Sequence, residues 1–173
     1  MKEVVVVRHG HWDSVNDKLT EQGKARCLEV KPTIGSFVIA VSSPFGRTRE
    51  TAQLLSDVEP RTDERASIPQ GPPEFGPRIA ELRKTHPYGV TGALIAIPEL
   101  REPLYKQGQA LLELVKDALA QLLEGQRALI VSHDGTMVAM EKVLTGDTFD
   151  EIDHTYGELE GFHVDDSMHL TRL

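Results

Sequence analysis

Val4 to Val7 is an unbroken run of four valines that stops at Arg8, His9 and Gly10. β-Branched side chains suit a pleated surface, and a run without polar alternation fits a strand covered on both faces. Two later segments repeat the arrangement. Phe37 to Val41 runs into Ser42, Ser43 and Pro44, and Arg47 to Leu55 then reads as helix, with Ser43 placed to cap it and Pro44 at its first position. Ala128 to Val131 runs into Ser132, His133, Asp134 and Gly135, with helix following from Met137 to Leu144.

The clearest helix is Gln107 to Leu123, where Ala110, Leu111, Leu114, Val115, Ala118, Leu119 and Leu122 recur at helical spacing. Thr20 is placed to cap a shorter helix from Glu21 to about Val30. The tail reads as a hairpin, Glu158 to Val164 and Met168 to Leu173, turning at Asp165 to Ser167. Strands alternating with helices predict a three-layer α/β/α sandwich around a mostly parallel sheet. At 173 residues the expectation is a single domain over 1–173. Residues 57–103 hold eight of the ten prolines and only broken apolar pattern, so they are expected to form a cap insertion over one end of the sheet.

Composition narrows the partners. A net charge of −8 disfavours attachment to nucleic acid, which requires neutralising many phosphates at once. No apolar run approaches the roughly 20 residues needed to span a bilayer. The N-terminal stretch lacks the length and small-residue cleavage site of a signal peptide, and Cys27 has no internal disulfide partner, so the expected location is the cytoplasm. No exposed apolar stripe or heptad pattern speaks to oligomeric state. A bound anion must therefore be held by a few locally placed cations.

Ligands of open α/β sheets sit beyond the carboxyl ends of the strands, where helix N-termini converge. Here those ends carry Arg8 and His9, Arg47 on the first turn of a helix, and His133 just before another. Guanidinium groups bind phosphate oxygens in pairs and stay charged, while an imidazole can attack phosphorus or carry a proton. Two of each, gathered at one edge, suit a tetrahedral dianion.

These pieces carry a resemblance. Arg8, His9 and Gly10 after a valine strand; Leu19, Thr20 and Gly23 with Ala25 following; Ser43, Pro44, Arg47, Thr51 and Ala52; and Ser132, His133 and Gly135 resemble, in order, the signatures of the histidine phosphatase superfamily, the phosphoglycerate mutase-like enzymes. The resemblance spans nearly the whole chain. It implies a phosphohydrolase acting through a covalent phosphohistidine on His9, with Arg8, Arg47 and His133 holding the phosphoryl oxygens and no metal or other cofactor. The substrate would be a phosphorylated small molecule or a phosphoprotein. Asn16 would touch the phosphate.

One departure stands out. The family usually supplies a Glu or Asp after the third strand to protonate the leaving group, but Arg65 to Gly71 reads Arg, Ala, Ser, Ile, Pro, Gln, Gly. Glu74 lies at a suitable distance after Arg47 and is the expected acid, with Glu64 and Asp63 as alternatives. Some compact phosphohistidine phosphatases of the family lack this acid altogether.

Three rival readings remain open. A metal hydrolase would use the His, x, His, x, Asp spacing of His9, His11 and Asp13, completed by His133 and Asp134, although Arg8 and Arg47 would oppose a divalent cation. A phosphate-binding module without turnover would need only the arginines. A phosphoglycerate-mutase-type phosphotransferase would carry longer insertions than this chain has. Trp12 and Tyr88 are placed to line the mouth of the site.

Overall fold

The computed structural model of the protein describes residues 1–69, 71–150 and 152–173. In chain order the elements are β1 (Glu3–Arg8), β2 (Trp12–Asp13), β3 (Lys18–Leu19), α1 (Glu21–Ile34), β4 (Ile39–Ser42), α2 (Gly46–Leu55) and β5 (Arg61–Thr62). Two single-turn 3-10 helices, Glu64–Ala66 and Pro73–Phe75, lead into α3 (Gly76–Leu82), α4 (Gly89–Ala96) and α5 (Pro98–Gln121). The chain then forms β6 (Arg127–Ser132), α6 (Asp134–Thr145), β7 (Gly161–Asp165) and β8 (Leu170–Arg172).

Six strands make one sheet in the order β5-β4-β6-β1-β7-β8, and β2 pairs with β3 apart from it. β1 runs parallel to β6, with Val4 opposite Ala128 and Arg8 opposite Ser132. β4 runs parallel to β6 and to β5, while β7 is antiparallel to β1 and β8 to β7. The tail is the expected hairpin.

The valine run is explained by the two cores. Val4 and Val6, with Ala128 and Ile130, pack into the cluster formed by α5 and α6. Val5 and Val7, with Leu129 and Val131, pack into the opposite cluster, which holds Cys27 of α1 and Ala52 and Leu55 of α2. All eight of these strand residues are fully buried. Successive strand residues face opposite sides, so a strand buried on both must be apolar at every position. The result is the predicted three-layer α/β/α arrangement with a mostly parallel sheet.

Local expectations hold with three adjustments. Thr20 caps α1 by accepting from the Gly23 N–H at 3.1 Å, and the helix runs on past Val30 to Ile34. The helix read from Gln107 begins at Pro98, because proline is tolerated in a first turn and Leu100 and Leu104 extend its buried stripe. Gly108 lets α5 approach α6 closely: a Cβ there would stand 2.6 Å from the Ala139 carbonyl carbon. Among the described residues no helix is long and apolar enough to cross a membrane.

The third adjustment corrects the start of α2. It begins at Gly46 with Phe45 at the cap position and no side-chain cap bond, so Ser43 is not its N-cap. The Ser43 hydroxyl is turned instead to Thr48 Oγ1, 2.7 Å away, and to His133 Nε2, 2.9 Å away. Partners in the interior outcompeted the local cap.

Candidate active site

The carboxyl ends of β1, β4 and β6 are level with one another, held by His9 N–H donating to Ser132 O (3.2 Å) and Ser43 N–H to Val131 O (3.2 Å). The residues that leave the sheet at this edge are therefore adjacent. Arg8 and His9 from β1, Arg47 from the first turn of α2 and His133 from the β6–α6 junction line one cavity of about 860 Å³. The four side chains named from the sequence do converge. The two imidazole centroids are 5.3 Å apart. Arg47 Nε donates to His9 Nε2 at 3.3 Å.

The protonation of His9 follows from its contacts. Nδ1 lies 2.9 Å from the Gly10 carbonyl, which can only accept, so Nδ1 carries the hydrogen and Nε2 bears the lone pair. The ring is 5% exposed, and burial, reinforced by the Arg47 and Arg8 charges, lowers its pKa from 6.5 to about 4 against the opposing pull of Gly10 and Asp17. His133 is lowered further, to about 2, by burial and then by His9, Arg47 and Arg8. Both imidazoles are neutral at neutral pH.

His133 is oriented by a hydroxyl relay. Thr48 Oγ1 is within 3.0 Å of the Ser43 carbonyl and 2.8 Å of the Phe45 carbonyl, to which its proton must go. It therefore accepts from the Ser43 hydroxyl, which in turn accepts from His133 Nε2–H. His133 is left with Nδ1 unused by this relay.

Arg47 is fixed from three sides. Its guanidinium pairs with Asp17 Oδ1 and lies 4.0 Å from the Trp12 ring centroid and 4.5 Å from that of Phe45. Asp17 also accepts from the Gly46 N–H at 2.7 Å, so one carboxylate ties the β2–β3 loop to both the backbone and a side chain of the first turn of α2. That approach requires glycine at 46, since a Cβ would stand 2.2 Å from the Asp17 carbonyl oxygen. Asp17 itself has φ +52, a conformation that aspartate tolerates better than most residues.

Arg8 is fixed from the other side of the cluster. Its Nη1 donates to the Tyr156 carbonyl at 2.7 Å, and its Nε is buried with no partner among the described residues. Tyr156 N–H donates to Asp134 Oδ1 at 2.6 Å, and Asp134 Oδ2 accepts from the Thr91 hydroxyl of α4. Burial raises the Asp134 pKa, although both of these hydrogen bonds and the Arg8 charge favour the carboxylate. Asp134 thus links the backbone that holds Arg8 to the segment over the sheet edge.

Other residues singled out from the sequence lie elsewhere. Asn16 is exposed and donates to Asp13 at 2.6 Å, so the neighbouring Asp17, not Asn16, is the loop residue that reaches the cluster. Glu74 is exposed; Pro73 and Gly76 on either side of it line the cavity, but Glu74 does not. Glu64 is exposed, and Asp63 is bound by Arg65 at 2.8 Å. The residues of the metal reading are separately engaged. His11 is paired with Thr20 Oγ1 at 2.8 Å, and Asp13 accepts from Val15 N–H at 2.9 Å. Among the described residues no three or more His, Cys, Asp or Glu gather in a set suited to a metal ion. Trp12 and Tyr88 both line the cavity.

Sequence reasoning did not find Asp17, the Ser43–Thr48 relay or the linking role of Asp134. Each depends on partners distant in the chain, and an aspartate in a polar loop carries no local mark of the arginine it will meet.

Comparison with known proteins agrees with this fold. The family model of the histidine phosphatase superfamily (branch 1) matches residues 4–166. No curated protein matches the sequence. A mycobacterial glucosyl-3-phosphoglycerate phosphatase in complex with inorganic phosphate is similar in fold, with a TM-score of 0.74 and 18% identity over 100% of this chain and 96% of that one. A phosphoserine phosphatase from Entamoeba histolytica has a TM-score of 0.64 and 22% identity over 99% of this chain and 95% of that one.

Proposed function

The chain belongs to the histidine phosphatase superfamily, and on that premise we propose that it is a metal-independent phosphohydrolase whose phosphoryl acceptor is His9. The observation that carries the reading is the neutral imidazole of His9, its Nε2 lone pair placed beside Arg47 in a cavity shared with Arg8 and His133. A nucleophile must be unprotonated, and burial between two guanidiniums keeps it so well below neutral pH.

In the first step Nε2 attacks phosphorus, the N–P bond forms and the ester P–O bond breaks, its electron pair leaving with the alcohol oxygen, which takes a proton from solvent water. Positive charge then develops on the ring, and the Nδ1–H to Gly10 carbonyl bond is aligned to stabilise it. Arg8 and Arg47 offset the charge of the three phosphoryl oxygens during transfer. His133 Nδ1 is the fourth contact: burial is the main cause of its lowered pKa, followed by the neighbouring charges, and a bound dianion supplies the opposite charge that works against both. Water then attacks phosphorus, the P–N bond breaks and inorganic phosphate leaves. Glu74, the acid expected from the sequence, stands outside the cavity and has no part in this scheme.

The test compares the protein with its His9→Ala variant on p-nitrophenyl phosphate in the presence of a chelator. The wild type should turn over, the variant should lose at least about a thousandfold in kcat, and quenching into base should trap an acid-labile phosphoenzyme on the wild type alone. Equal rates for the two proteins would refute the assignment of His9. Loss of wild-type activity to the chelator would refute metal independence.

A further inference from the structure

Beyond the phosphate cluster, the cavity wall is mainly apolar. Ile68, Ile79, Leu94 and Leu100 line it, with prolines between them. Of the four hydroxyls on this wall three are committed within the protein, Thr91 to Asp134, Thr136 to the Ser67 carbonyl at 2.7 Å and Tyr88 to the Asp153 carbonyl at 2.9 Å, and Thr155 is the fourth. Among the described lining residues, the charged groups outside the cluster are Asp134, engaged on both oxygens, and Arg83, which is exposed.

This wall discriminates between alcohols. A polyhydroxylated body would lose hydration against it and find few partners, at roughly tenfold in affinity or more for each hydroxyl left unpaired. An apolar body gains a factor of about four for each fully buried methylene. The chemistry of departure selects in the same direction. The sole carboxylate among the described lining residues, Asp134, already accepts from Tyr156 N–H and Thr91, so no free acid is aimed at the leaving oxygen. A phenol, titrating near pH 10 by analogy with tyrosine, departs as its anion far more readily than an aliphatic hydroxyl of acidity near that of water, about 15.7.

We propose that the substrate is a small aryl phosphate, the monoester of a phenol whose ring packs against Ile79, Leu94 and Leu100. The cavity, about 860 Å³, has the size of a small-molecule site. Turnover of this substrate rests on the His9 reading; its binding does not.

Calorimetric titration with non-hydrolysable phosphonates tests the wall without requiring catalysis. Benzylphosphonate should bind about 30-fold more tightly than methylphosphonate, and Ile79→Ser or Leu94→Ser should remove most of that preference while leaving methylphosphonate within about twofold. Equal affinities within about threefold would overturn the proposal. In kinetics, kcat/KM for phenyl phosphate should exceed that for glycerol 3-phosphate and phosphoserine by at least about a hundredfold, and Asp134→Asn should slow all three by the same factor. A polar ester turned over within about tenfold of phenyl phosphate, or a phosphotyrosine peptide preferred about tenfold over it, would also overturn the proposal. So would a loss on Asp134→Asn confined to the aliphatic esters, which would make Asp134 the missing acid. If His9→Ala retained activity while the phosphonate series held, the nucleophile would be wrong and the binding wall right.

Discussion

Replacing His9 with glutamine should change the response of the fold to acid by an amount set by burial. The imidazole titrates near 6.5 when free and near 4 in the fold, so between those values the unfolded chain binds a proton that the native state refuses. Stability linked to His9 is therefore fully present above about pH 7, is lost as pH falls through 6.5, and levels off below about 4. Integrated from about pH 7 to about pH 5, the loss is about 2 kcal/mol. His133, whose native value is lower still, adds a similar loss over the same interval. Urea unfolding followed by circular dichroism at the two pH values measures this directly. The wild type should lose about 2 kcal/mol more than His9→Gln between them, with unchanged m values, and any intrinsic effect of the substitution cancels in the comparison. Parallel losses in the two proteins would show that His9 is not held neutral by burial, and the nucleophile argument would lose its basis.

Three other outcomes follow from the geometry. Asp17→Asn removes the charge that anchors Arg47, whose side chain is only 10% exposed, and should lower kcat/KM on p-nitrophenyl phosphate about tenfold together with a fall in the thermal unfolding midpoint, because a buried guanidinium is left without its counter-charge. Gly46→Ala forces a Cβ to within 2.2 Å of the Asp17 carbonyl oxygen and should destabilise the fold by about 1–3 kcal/mol, read as a lower urea midpoint. Glu74→Gln should leave kcat/KM within about twofold on both aryl and aliphatic esters, since the side chain is outside the cavity; a selective loss on the aliphatic esters would restore it as the acid.

What was legible in the chain reflects the range of the interactions concerned. The valine strand, the Thr20 cap and the stripe of α5 are written in neighbouring residues, because period, capping and burial on two faces act over a few positions. The prolines obscured the first turns of α5, where Leu100 and Leu104 are buried by elements far along the chain. Ser43 carried a valid local signal for a helix cap and was claimed by His133 instead, 90 residues away.

The convergence of Arg8, His9, Arg47 and His133 could be read without coordinates, because parallel strands in one sheet must present their carboxyl ends together and each of these residues sits within a few positions of such an end. The environment of that cluster could not. Asp17 on Arg47, Asp134 between Tyr156 and Thr91, the exclusion of Glu74 and the apolar wall all arise where loops and helices meet across the sheet edge. Pairings of that kind depend on how whole elements pack, which no short window of sequence encodes.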